Sequence, residues 1–105
     1  MGEVRDYIDA HFAERITLAQ LAVRAHVGTF HLVREFRRAF GLPPYAYLEL
    51  VRVHRARALL QSGARASEVA FLTGFSDQSH LTRRFKSVFG VPPGRYAKSY
   101  ARANL

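Results

Sequence analysis

The chain has 105 residues, 49% of them hydrophobic, which suits one small domain or two very small subdomains and argues against wholesale disorder. It has no cysteine, which excludes disulfides, thiolate metal sites and cysteine nucleophiles. Sixteen Lys and Arg stand against eight Asp and Glu, a formal net charge of +8, and from Arg15 onward the balance is 15 basic residues to 4 acidic ones. Positive charge so concentrated points to a polyanion, either nucleic acid or an anionic membrane surface. Fourteen of the bases are Arg, whose planar fork suits phosphates and guanine edges. No run approaches the roughly 18 to 20 apolar residues of a membrane span and no signal peptide opens the chain, so a cytoplasmic location is expected.

Along the chain the apolar spacing is helical. Val4, Ile8 and Phe12 recur every four residues and predict an amphipathic helix over about residues 3–12. Thr17 is a good N-cap for a short helix carrying Leu18, Leu21, Ala22 and Ala25, which runs until Gly28 interrupts it. From Thr29 to Phe40 a longer helix gathers Leu32, Phe36, Ala39 and Phe40 on one face. Gly41 ends it, and Pro43-Pro44 blocks its continuation while opening the next helix. That helix, about Pro44 to Gln61, has Leu48, Val51 and Leu59 on one side and Leu50, Val53 and Leu60 round the other. Apolar residues on more than one face suit a connector with more than one packing partner. Ser62-Gly63 closes it. There follow a short helix from about Ala66 to Thr73, a turn at residues 74–76, a long helix from Asp77 to Phe89, and a last helix through about Tyr100. No strand-like alternation occurs, so the fold is expected to be all-α with about seven helices.

The pattern repeats. FGLPP at residues 40–44 returns as FGVPP at 89–93; Leu32 matches Leu81 and Phe36 matches Phe85 at the same separation of 49. Leu21-Ala22 matches Val69-Ala70, and Val27 matches Phe75, at 48, so the second copy has one extra residue in its turn. Each copy reads as short helix, tight turn, longer helix: the helix-turn-helix arrangement, whose second helix enters the DNA major groove. Helix pairs are common, so the pattern gains its force from the basic outer faces of both second helices. The expected organisation is a first helix-turn-helix subdomain over 1–43, a connector helix over 44–62 and a second subdomain over 63–105.

At 100° per residue, Leu32, Phe36 and Phe40 set the core side of the first long helix. Phe30, Arg34, Arg37 and Arg38 then point outward, with Val33 on the flank. In the second, Ser79, Arg83, Lys86 and Ser87 point outward with Thr82 on the flank, at matching positions. Thr29, Phe30, Val33, Arg34, Gln78, Ser79, Thr82 and Arg83 are therefore the base-contact candidates. Arg34 and Arg83 are placed for guanine edges or phosphates, Gln78 for adenine, Thr82 for a hydrogen-bonding edge or a thymine methyl, and Phe30 and Val33 for thymine methyls. Arg37, Arg38, Arg84 and Lys86 are phosphate candidates. Asp77 is better read as the N-cap of its helix than as a base contact.

The run GFSDQSHLTRRFKSVFGVPPGRY, Gly74 to Tyr96, resembles the signature of the AraC/XylS family of bacterial transcription regulators. LAQLA at 18–22, HLVREF at 31–36 and RVHRARALL at 52–60 are similar to the rest of that family's DNA-binding domain. The resemblance implies two homeodomain-like helix-turn-helix subdomains joined by a long helix, with recognition helices over 29–38 and 77–86 in adjacent major grooves of double-stranded DNA. It implies transcription regulation, by activation or repression, with RNA polymerase as a partner and a nucleoid-associated cytoplasmic location; the chain is then either the DNA-binding portion of a regulator whose effector-sensing or dimerising domain lies outside it, or a stand-alone member. Arg52 matches a basic position on the family's connector, where it either contacts phosphate or braces the halves. The family's usual Ser cap is Gly28 here, which a helix tolerates. Its aliphatic residue before the second helix pair is Ala66, and its basic residue after the last Tyr is Ala97. A connector of about 17 residues spans ~26 Å against ~34 Å between successive grooves on one face, which predicts bent DNA on a full site.

Two other classes fit less well. The five His are scattered, and no metal-spaced pair, phosphate loop or Ser-His-Asp pattern stands out, so no catalytic residue, metal ligand or cofactor is expected. A membrane-surface or protein-interaction module would bind anionic vesicles and be blind to DNA sequence.

Overall fold

The computed structural model describes residues 1–104, which hold seven α-helices and no strand. They are α1 (Gly2–His11), α2 (Leu18–Ala25), α3 (Thr29–Phe40), α4 (Pro44–Gln61), α5 (Ala66–Leu72), α6 (Gln78–Phe89) and α7 (Pro93–Ala103). The all-α expectation is met. The chain divides into two compact units, Met1–Val51 and Arg52 onward.

In the first unit Val4, Ile8, Ile16, Leu21, Ala22, Leu32, Phe36 and Leu48 form one buried cluster, with α1 against α2 and α2 against α3. In the second, Val53, Ala56, Leu60, Val69, Ala70, Phe75, Leu81 and Phe85 do the same, with α5 against α6 and α6 against α7. The mixed faces of α4 follow from this division: Leu48 belongs to the first cluster, and Val53, Ala56 and Leu60 to the second. Phe36 and Phe85, both wholly buried, hold the centres. Truncating a buried Phe to Ala typically costs about 3–5 kcal/mol, a large share of what so small a unit has.

The helix ends are fixed by local chemistry. Thr17 Oγ1 accepts from the Gln20 N–H at 3.1 Å while Gln20 Oε1 accepts from the Thr17 N–H at 3.0 Å, a complete capping box for α2. Asp77 Oδ1 accepts from the His80 N–H at 2.8 Å and caps α6, as expected of it. α2 stops earlier than Gly28, at Ala25, because His26 takes a left-handed conformation with φ 58. The Val27 N–H then closes onto the Ala22 carbonyl at 3.1 Å. Gly74, φ 84, occupies the matching place in the second unit, where the Phe75 N–H closes onto the Ala70 carbonyl at 3.0 Å. Gly28 instead sits at the N-cap of α3 with extended backbone and no side-chain bond.

Gly41 and Gly90 end α3 and α6 at φ 84 and 82, each donating its N–H to a carbonyl four residues back (Arg37, Lys86) at 2.8 Å. The left-handed conformation suits a residue without Cβ. The duplicated motif then builds the same aromatic trio twice. Ring centroids lie 4.7, 5.7 and 6.4 Å apart for Phe36–Phe40, Phe36–Tyr47 and Phe40–Tyr47. For Phe85–Phe89, Phe85–Tyr96 and Phe89–Tyr96 they are 4.7, 5.6 and 6.3 Å. A guanidinium covers the outer ring in each: Arg5 over Phe40 at 5.0 Å, and Arg57 over Phe89 at 4.8 Å.

Candidate nucleic-acid interface

Burial of Leu32 and Phe36 on α3, and of Leu81 and Phe85 on α6, forces the remaining faces of both helices outward. On α3 the outward face holds Thr29, Phe30, Arg34, Arg37 and Arg38, all exposed, with Val33 half-buried. On α6 it holds Gln78, Ser79, Arg83 and Lys86, exposed, with Thr82 and Arg84 half-buried. Each helix presents a shallow concavity. Thr29, Phe30, Val33, Arg34 and Arg37 line the first together with Leu18 from α2. Gln78, Ser79, Thr82 and Arg83 line the second. All eight base-contact candidates thus fall on these two surfaces, four on each.

The charged groups on α3 are held loosely by one another. Arg34 Nη2 donates to His31 Nδ1 at 3.1 Å, its Nε is 3.5 Å from Glu35 Oε1, and its guanidinium lies 6.0 Å from the Phe30 ring centre. Arg38 Nη1 is 3.7 Å from Glu35 Oε2. Exposed pairs of this kind are worth about 0–1 kcal/mol, so a nucleic-acid phosphate or base edge can replace them. Arg52 departs from the rest. It is 8% exposed and engaged within the protein, so its guanidinium is poorly available to a phosphate.

Sequence reasoning missed two residues here. Leu18 reads as a core position of α2, yet one edge of its side chain reaches the α3 concavity; its place at the first turn of α2 was the available signal. Glu35 is the one acid on α3 and lies next to Arg34 and three residues before Arg38, a spacing that brings it to both. His11, His31, His54 and His80 serve ring packing and local bonds. His80 packs edge-on against Phe75 at 5.0 Å and His54 against Phe89 at 5.5 Å. Among the described residues no His, Cys, Asp or Glu cluster can hold a metal ion, and no helix is long and apolar enough to cross a membrane.

Residues 21–99 match the family model described as helix-turn-helix domain. A probable AraC family transcriptional regulator from Rhodopseudomonas palustris CGA009 has the same fold, with a TM-score of 0.83, 28% identity, and coverage of 92% of this chain and 93% of that one. The chain belongs to the AraC-type helix-turn-helix family. The DNA-binding domain of AdpA, a global transcriptional factor solved in complex with a target DNA, is similar at a TM-score of 0.91 and 31% identity, covering 96% of this chain and 93% of that one. In sequence, the uncharacterized HTH-type transcriptional regulator YbfI of Bacillus subtilis (strain 168) is 40% identical over 76 residues. The match covers 72% of this chain but 28% of YbfI, so the chain spans less than a third of that relative's length.

Proposed function

We propose that the chain binds double-stranded DNA sequence-specifically as the DNA-binding domain of a transcription regulator, with α3 and α6 entering successive major grooves. The observation that carries this reading is the duplicated outward face. Two helices with the same core register expose Arg34 and Arg83 at equivalent positions, each among side chains able to reach base edges. A solvated basic surface gives no reason for that repetition. The complex of the AdpA domain with its target DNA supports the same conclusion for a chain this similar.

In this reading Arg34 and Arg83 read guanine, Gln78 reads adenine, and Thr29, Ser79 and Thr82 complete the polar contacts. Arg37, Arg38, Arg84 and Lys86 grip phosphates and set the register. The connector, α4, is 18 residues long, about 27 Å, shorter than the ~34 Å groove repeat, and the DNA bends to seat both helices. The domain itself performs no catalysis, and it works in the cytoplasm beside RNA polymerase, attached to a domain that senses an effector or dimerises.

Selection of bound duplexes from a random pool tests the reading. The wild-type protein is expected to yield one bipartite motif. Arg34→Ala and Arg83→Ala are each expected to lose one guanine preference and about 1–3 kcal/mol of specific affinity, in different halves of that motif. Unchanged motifs in both variants would remove the base-reading assignment.

A further inference from the structure

The two units differ where the repeat would have them alike. Phe30 corresponds to Ser79, Val33 to Thr82, and Leu18 to Ala66. In the first unit these three apolar side chains line one open concavity together with Thr29, Arg34 and Arg37. Its counterpart in the second unit is lined by Gln78, Ser79, Thr82 and Arg83, without an apolar wall from α5. Phe30 is 80% exposed and lies outside the buried cluster of its unit, so folding gains little from it. An aromatic left so exposed beside a half-buried Val and Leu is poised to bury apolar surface only when something fills the cup.

On the reading that α3 lies in a major groove, what the groove offers such a cup is narrowly defined. Base edges there present hydrogen-bonding atoms and one apolar substituent, the methyl on pyrimidine C5. Thymine carries it, and so does 5-methylcytosine; cytosine and uracil carry hydrogen. We propose that the first unit is a reader of the pyrimidine C5-methyl group, which packs against Leu18, Phe30 and Val33, whereas the second unit has no such apolar lining. Arg34 lies 6.0 Å from the Phe30 ring and lines the same concavity, so the preferred step pairs a 5-methylpyrimidine with a neighbouring guanine. The pocket therefore makes binding responsive to cytosine methylation in one half-site, a chemical input independent of any effector domain.

The test is fluorescence-anisotropy titration of the selected duplex with each thymine changed singly to uracil and each cytosine singly to 5-methylcytosine. In one half-site, uracil is expected to weaken binding about four-fold, the worth of one buried methyl. With that thymine replaced by cytosine opposite guanine, methylation at C5 is expected to tighten binding by the same factor of about four. In the other half-site all exchanges stay within about two-fold. Phe30→Ser and Val33→Thr, which install the second unit's residues, should erase the methyl preference while leaving binding measurable and the circular-dichroism melt close to wild type. Specific binding that is indifferent to uracil at every position, or a methyl preference that survives both variants, overturns the proposal. A protein that holds every duplex equally overturns the DNA-reading function and this inference with it.

Discussion

His26 holds a left-handed conformation, φ 58, that costs a residue with a Cβ about 1–2 kcal/mol, while Gly74 takes φ 84 at the matching position of the second unit without that cost. His26 is exposed, so its side chain has little packing to lose. His26→Gly is accordingly expected to raise stability by about 1 kcal/mol in a urea melt; an unchanged or lower midpoint would mean the imidazole contributes more than its backbone costs. Tyr47 gives a pH signature. Its hydroxyl donates to Asp9 Oδ1 at 2.7 Å, and burial, with that hydrogen bond and the Asp9 charge, pushes its pKa from 10.0 up to about 12. The fold favours the neutral phenol, so this contribution is intact below pH 10 and is lost as the pH climbs towards 12. Tyr47→Phe should lower neutral-pH stability by about 1 kcal/mol and flatten the alkaline decline between those limits. Denaturant melts from pH 8 upward measure both, and equal alkaline slopes in the two proteins would contradict the assignment.

At the scale of elements, α6 depends on a cap that α3 lacks. Asp77 accepts from the His80 N–H, whereas Gly28 offers no side chain to α3. Asp77→Ala is expected to cost about 1 kcal/mol of stability, and Asp77→Ser to recover most of it, with the selected DNA motif the same in both. A motif that changed with either variant would make Asp77 a base contact instead. The helices themselves were readable in the sequence because periodic apolar residues and Gly-Pro punctuation act locally, and the repeat supplied each segment with a second reading. Three features were less so. Gly28 is the visible stop signal after α2, whereas a histidine seldom adopts the left-handed conformation that stops the helix at Ala25. Arg52 sat on a helix already known to have several faces, and periodicity cannot say which face is covered. Leu18 packs against the core and also lines a surface concavity, and a single apolar letter in the sequence does not separate the two uses.

At the scale of the molecule, the duplication is the organising fact. Each unit encloses its own cluster round a buried Phe, ends its long helix on a left-handed Gly, and exposes a basic face on that helix. Between copies the cores are held nearly constant, since the aromatic trios agree to about 0.1 Å, while the exposed positions diverge from Phe30 and Val33 to Ser79 and Thr82. A constant scaffold with variable exposed residues suits two reading heads for two different half-sites. Excess positive charge makes the affinity of such a domain salt-dependent, and six to eight neutralised phosphates correspond to a log–log slope of roughly −5 to −7. Hydroxyl-radical footprinting on the selected duplex tests the central claim most directly. Two protected blocks are predicted on one face of the DNA, about 10 base pairs apart, with Arg34→Ala weakening one and Arg83→Ala the other. A single block, or two blocks that fade together in each variant, would contradict the account of two units reading two grooves.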